Sequence, residues 1–391
     1  MALARGALVV ATMPGALEVV GGVPLAVRGI LALRAAGVAE VTVLAGAHVS
    51  RLRAALERRR DARGLRWLTG PGDTAGLVGL DLVLVIAGDV LVDAEGAARA
   101  PRCPGSALPR LLADLDAGVG LAEALRSAGA TEPSRGDGLF VPLDVAHPRG
   151  ALERGLLDHL ARRTAGTDSF FATLIDRRLA RPLTRLLLAR PVTPSQITLA
   201  SVLVGLLGAA GLATVSYPLR VAGLLALVGS IVLDCVDGEV ARARFEESPA
   251  GARLDVIGDY VVHTATFAGL GIGLTREGLP AVGVWAVVGL VLGVATAMAT
   301  MHALFVRPAL QRGGDLHWSG DAESLRGAPA AVVVEKVASR DYTYLLLVLA
   351  LLGHLEWFLY AAAVGSWAFV AGLLVYRGYR RVAPRGSMVS P

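Results

Sequence analysis

Residues 234–259 read DCVDGEVARARFEESPAGARLDVIGD. Four carboxylates, Asp234, Asp237, Asp255 and Asp259, lie between two apolar runs, VAGLLALVGSIVL at 221–233 and VVHTATFAGLGIGL at 261–274. These runs belong to segments of roughly 20 residues or more, long enough to cross a bilayer as helices. The aspartates of each pair are three or four apart, which places each pair on one helical face. The chain reverses between them, so the two faces can confront each other. A charge at membrane depth costs roughly 2.5–3.5 kcal/mol on the insertion scale. Water at a helix end accounts for one or two such groups, but four on converging faces need neutralisation. Hard divalent cations take oxygen ligands, and Mg²⁺ favours sites that it shares with substrate phosphates. The stretch therefore predicts a site for Mg²⁺ or Mn²⁺ that handles phosphate.

Working outward, six spans are expected, at about 195–215, 219–243, 252–274, 280–306, 335–354 and 357–377, with a polar insert at 307–334. Small residues beside the aspartates (Gly238, Ala241, Gly251 and Gly258) permit close helix approach. Before the first span, FFATLIDRRLARPLTRLLLARPVTPSQIT alternates apolar residues with Arg177, Arg178, Arg181, Arg185 and Arg190. That pattern fits a basic amphipathic helix lying on a membrane surface. Arginines gather on one side of the spans, leaving Arg220 and Arg276 on the other. Positive residues favour the cytoplasm, so both termini and the aspartates are expected there. The net charge of +5 fits such flanks and does not indicate nucleic-acid binding. Cys103 and Cys235 are expected to be free thiols. His263 and His302 fall within spans and are expected to make helix-packing hydrogen bonds.

The first part of the chain has a different texture. GALVVAT at 6–12, EVTVLA at 40–45 and DLVLVIAG at 81–88 read as buried strands, and PLAVRGILALRAAG between the first two has helical spacing. MALARGALVVATMPG fits a strand better than a secretory leader. LRWLTG at 65–70 reads as an edge segment, 109–127 as helical, GLFVPLDVA as strand-like and 145–168 as a helical connector. Strand and helix in alternation argue for a parallel sheet. The expected fold is thus an α/β Rossmann-like N-terminal domain plus an all-α six-helix transmembrane domain. The boundaries are 1–165 for the α/β domain, 166–192 for the surface helix and 193–391 for the spans.

The order D-x-x-D-G-x-x-A-R, eight residues, G-x-x-x-D-x-x-x-D is the signature of the CDP-alcohol phosphatidyltransferase family. Asp234, Asp237, Gly238, Ala241, Arg242, Gly251, Asp255 and Asp259 match it throughout. The chain resembles that family over about 170–380. The resemblance implies metal binding by Asp234, Asp237 and Asp255, and a general base in Asp259 that touches metal as well. It implies a CDP site at Thr198, Gly238, Arg242, Ser248 and Gly251. It also implies two divalent ions, a CDP-linked donor, an alcohol nucleophile, release of CMP and a homodimer. One departure stands before the first span, where Ser195 replaces the usual asparagine of Pro-Asn-x-x-Thr.

Lys336, the one lysine of the chain, and Arg340 are four apart, hence on one face. They fit either an acceptor phosphate, as on inositol phosphate, or ordinary positive flanking. The first domain resembles sugar-phosphate nucleotidyltransferases through GGVPLAVRGILALRAAGVAEVTVLAG at 21–46 and VLVIAGDVLVD at 83–93. Their Gly-rich phosphate loop is replaced by ATMPGALEVV, and Val23 stands where a lysine is usual. Asp89 alone remains at the metal-binding strand end, so the domain is expected to be non-catalytic. The fused layout is similar to bifunctional enzymes that make CDP-inositol and join it to inositol phosphate. Two donors stay open, CDP-diacylglycerol giving a phospholipid, and CDP-inositol joined to inositol phosphate to give di-myo-inositol phosphate phosphate, the latter with an active N-terminal cytidylyltransferase. A non-catalytic cation-binding membrane scaffold is the competing class.

Overall fold

The structure, a computed structural model, describes residues 6–57, 59, 64–68, 82–133, 138–164, 175–306 and 341–382. The chain forms two compact units. One comprises Met1–Leu160 with Ala243–Phe245, the other Ala161–Arg242 with Glu246–Pro391.

In the first unit the strands are β1 (Gly6–Val10), β2 (Val19–Val20), β3 (Val23–Pro24), β4 (Glu40–Leu44), β5 (Arg66–Leu68), β6 (Leu82–Ala87), β7 (Val90–Val92), β8 (Arg102–Pro104) and β9 (Phe140–Pro142). The main sheet has the order β5-β4-β1-β6-β8, parallel except for β8. The helices are α1 (Leu25–Ala35), α2 (Val49–Leu56), α3 (Ala94–Ala98), α4 (Leu108–Asp116), α5 (Leu121–Ser127) and α6 (Arg149–Thr164). Alternate residues of the central strands enter two cores. Ala7, Val9, Leu84 and Ile86 pack with Ile30 and Leu33 of α1. Leu8, Val10, Val83 and Val85 pack with Leu108, Leu111 and Leu112 of α4. A sheet covered on both faces explains why its strands are continuously apolar. Each fully buried Leu, Ile or Val stabilises the fold by about 1.5–3 kcal/mol. β5 is an edge strand, as expected from LRWLTG. The stretch 109–127 is helical as expected, and forms two helices. Gly118 sits at φ 81° between them, a conformation that ends α4.

The second unit is helical. Its elements are α7 (Arg177–Leu188), α8 (Pro194–Leu212), α9 (Tyr217–Arg244), α10 (Pro249–Arg276), α11 (Ala281–Met301), a π-helical turn at His302–Val306, α12 (Tyr342–Leu351) and α13 (Leu355–Val382). Thr193 starts α8 with a capping box, its hydroxyl accepting from the Gln196 N–H while Gln196 returns to the Thr193 N–H. Glycines let the helices close on one another. A Cβ at Gly208 would lie 2.7 Å from the Gly223 carbonyl, and one at Gly211 2.8 Å from the Gly223 Cα.

Among the described residues four helices are long and apolar enough to span a membrane: Pro194–Leu212, Tyr217–Arg244, Ala281–Leu304 and Leu355–Val375. The six expected spans are thus not all matched. α10 has the length, but Asp255, Asp259, His263, Thr264 and Thr266 make it more polar than the others. The described part of the fifth expected span is the ten-residue α12, and 335–340 lies outside the described residues. Leu203, Leu207, Trp285, Trp357, Val364 and Val375 point outward from these helices, as lipid-facing residues do. Arg220 and Arg276 gather beyond the end of α8, bonding the carbonyls of Thr214 and Ala213. Arg220 also pairs with Glu277 at 2.6 Å.

Candidate active site

α9 brings the first aspartate pair to its C-terminal end and α10 opens with the second. The reversal between them begins at Phe245, whose φ of 55° is the only positive value outside glycine among the described residues. The Glu246 N–H donates to the Ala241 carbonyl at 2.9 Å, closing α9 with a Schellman-type bond. Ser248 then caps α10, its hydroxyl accepting from the Gly251 N–H at 3.1 Å, with Pro249 at the first helical position. Ser248 and Gly251, expected to touch CDP, here bond each other at the helix start.

Carboxylate oxygens of Asp234, Asp237 and Asp255 all lie within 4.8 Å of one another. Asp237 is buried, while Asp234 and Asp255 are half-buried. Like charges this close repel strongly in low-dielectric surroundings. An all-oxygen donor set of this kind fits a hard divalent cation. Asp259 stands outside that triad, one turn further along the same face of α10. Thr198 from α8 is buried, and its hydroxyl hydrogen-bonds Asp237. This fixes one carboxylate oxygen of Asp237.

Gly238 opens the space beside this face to Arg242. A Cβ there would lie 3.1 Å from an Arg242 guanidinium nitrogen. The expectation of close helix approach is met by Gly258, whose neighbour is Val202 of α8, but at Gly238 the space holds Arg242's own head group. The Arg242 Nε is shielded from solvent and has no hydrogen-bond partner among the described residues.

Sequence reasoning missed Glu239. It is 3% exposed and pairs with Arg177 of α7 at 2.8 Å. The Thr184 hydroxyl donates to its other oxygen at 2.6 Å, and Arg177 also donates to Thr164 at 2.6 Å. α7 is therefore pinned to α9 two residues from Asp237. It turns Ala180, Thr184 and Leu188 inward, and Leu179 and Leu186 outward beside Arg178 and Arg185. Asp176, just before α7, is buried and accepts a hydrogen bond from the Tyr344 hydroxyl of α12. Lys336 and Arg340 lie outside the described residues.

In the first unit Asp89 follows β6 in the turn to β7. Burial raises its carboxyl above the ordinary value, against a smaller lowering by its backbone hydrogen bond. The short helical turn Pro14–Leu17, with Ala16 fully buried, occupies the position after β1. A Cβ at Gly15 would lie 2.9 Å from the Asp89 Cβ and 3.0 Å from Leu143. Asp93, nearby, is a structural group. It caps α3 through the Gly96 N–H at 2.8 Å, accepts from the Leu139 N–H at 3.0 Å and pairs with His159 of α6 at 2.7 Å. Cys103 and Cys235 are free.

The segment that holds these aspartates also matches known proteins. Residues 191–375, just under half of the chain, match the CDP-alcohol phosphatidyltransferase family. That segment takes in α8 to α12 and much of α13, and includes all four aspartates. That family depends on divalent metal, and the aspartate cluster of this chain has a donor set that fits such an ion. The chain is also similar to a bifunctional IPC transferase and DIPP synthase from Rubrobacter xylanophilus, 40% identical over 106 residues. A protein with the same description from Thermococcus kodakarensis is 34% identical over 110 residues. These matches cover 27% and 28% of this chain and 24% of each relative, so the chain spans about a quarter of the length of the curated relatives it matches.

Proposed function

We propose that the protein is an integral membrane phosphotransferase that moves a substituted phosphate from a CDP-linked donor to an alcohol and releases CMP. The observation that carries this reading is the meeting of Asp234 and Asp237, from the apolar span α9, with Asp255 of α10. These three would hold Mg²⁺ or Mn²⁺, and ions bound there would supply charge stabilisation for a diphosphate. Thr198 holds Asp237 in the orientation that this requires. Arg242, its Nε unpartnered, supplies positive charge for the leaving CMP. Asp259, beside the triad but outside it, takes the proton as the acceptor oxygen bonds to the phosphorus of the alcohol-bearing phosphate. The bond from that phosphorus to the bridging oxygen breaks, and CMP leaves with the bridging oxygen. Gly238, Ser248 and Gly251 complete the CDP-facing edge, and Lys336 with Arg340 is assigned to an acceptor phosphate.

Both termini and the site face the cytoplasm in this reading, and the spans pair as a homodimer. The α/β unit, its turn at Pro14–Leu17 packed against Asp89 with no basic side chain, does not activate a nucleotide. The product is a phospholipid if the donor is CDP-diacylglycerol. A second reading, CDP-inositol with inositol phosphate, is favoured by the names of the similar relatives and by the fused layout.

A CMP-release screen tests the proposal. Purified protein with Mg²⁺ or Mn²⁺ is expected to release CMP from at least one labelled CDP-alcohol in the presence of an alcohol. Label moving into the organic phase identifies the phospholipid route, and a water-soluble product the second. No CMP release from CDP-diacylglycerol, CDP-inositol or their homologues, with intact metal binding, would favour a cation-binding scaffold instead.

A further inference from the structure

Two histidines remain without a task. His263 lies on α10 four residues beyond Asp259, which lies four beyond Asp255, so the three share one helical face. His302 opens the π-helical turn that ends α11. Its ring meets Tyr260 edge-on, with centroids 6.1 Å apart. The His263 ring meets Tyr342 of α12 edge-on at 5.1 Å and Phe267 at 6.2 Å. The expected helix-packing hydrogen bonds are not what the structure shows. The Nδ1 atoms of both rings are shielded from solvent and have no hydrogen-bond partner among the described residues.

A buried polar atom left unpaired among apolar neighbours is destabilising, and phenylalanine would fill either place without that cost. Here two such atoms occur. One is on the face that carries Asp255 and Asp259. The other touches Tyr260, the residue next to Asp259, from a π turn, a feature frequent at functional sites. A neutral imidazole presents one donor and one acceptor, and an alcohol hydroxyl has the same capacity. Phosphate, by contrast, is matched by arginine or lysine.

We infer that His263 and His302 hydrogen-bond hydroxyl groups of the acceptor and hold it next to Asp259. This assignment rests on the transferase reading and adds a residue pair that recognises an uncharged, hydroxyl-bearing part of the acceptor. It makes the two histidines positioning residues, so their loss acts on acceptor KM.

The test compares H263F, H302F and the conservative H263N, whose amide nitrogen lies near the place of Nδ1. H354F, at an exposed histidine remote from this face, is the control. CMP release is measured in the full-length protein against myo-inositol 1-phosphate, myo-inositol and glycerol, with donor concentration and Mg²⁺ titrated separately. H263F and H302F are expected to raise acceptor KM tenfold or more, about 1.4 kcal/mol. Donor KM and the Mg²⁺ half-saturation stay put, and H263N lies within about threefold of the parent. If H263F is not recovered as a monodisperse protein, the H263N against H263Q ratio reads the same contact, with H263Q expected to be the weaker. Acceptor KM unchanged in H302F and in the His263 variants, with transfer intact, overturns this inference alone. Absence of CMP release in the parent protein overturns the transfer reading and this one with it.

Discussion

Glu239 offers the sharpest test of how α7 is attached. Its carboxylate is almost fully buried and is held by Arg177 at 2.8 Å and the Thr184 hydroxyl at 2.6 Å. The Arg177 side chain is itself only 12% exposed. Removing one partner of a buried pair leaves an uncompensated charge, at a cost of about 3–5 kcal/mol. E239L should therefore destabilise the protein by that amount. For a unit of this size about 2–4 °C of Tm accompanies each kcal/mol, so a fall of roughly 6–20 °C is expected. Replacing both partners removes the stranded charge, and R177M/E239L should recover most of the loss. Thermal unfolding of the detergent-solubilised single and double variants gives the comparison. A Tm for E239L within about 1 °C of the parent, or a double variant as unstable as the sum of its singles, would refute a buried, coupled pair.

Asp93 governs acid behaviour in the first unit. Burial raises its carboxyl, but the His159 hydrogen bond and the N–H groups of Gly96 and Leu139 outweigh this and hold it below its ordinary value. Its stabilisation is therefore complete above the unfolded carboxyl value of about 3.9 and is lost as pH falls through the lower folded value. D93N should cost about 1.5–3 kcal/mol at neutral pH and flatten the acid limb of the Tm profile; an acid limb identical to the parent's would contradict the assignment. T198V removes the hydroxyl from Asp237 and should raise the Mg²⁺ concentration for half-maximal CMP release about fivefold to tenfold, roughly 1 kcal/mol of carboxylate orientation, with acceptor KM unchanged. D89N should leave CMP release as it is, and pyrophosphate release from CTP by the parent protein would count against a non-catalytic α/β unit.

Much of this was legible because the signals are dense. The strands at Gly6–Val10, Glu40–Leu44 and Leu82–Ala87 are apolar on both faces, a pattern that a sheet covered on two sides requires. The aspartate pairs declare their faces by spacing alone. Glu239 escaped notice because it precedes a run of arginines and glutamates that reads as solvated, and its burial depends on a helix sixty residues earlier. The break in 109–127 turns on a glycine at positive φ, in a segment whose apolar period continues past it. Ser248 illustrates a residue with two plausible uses. Expected at the CDP site, it caps α10 ahead of Pro249 as well.

The central claim is that divalent ions occupy the space between α9 and α10. Crystals grown or soaked with Mn²⁺ and measured for anomalous scattering test it directly. The account predicts peaks bridged by Asp234, Asp237 and Asp255, lost in D237N. A well-ordered map with those three carboxylates in place and no anomalous peak between them, at Mn²⁺ concentrations that saturate any activity, would contradict it.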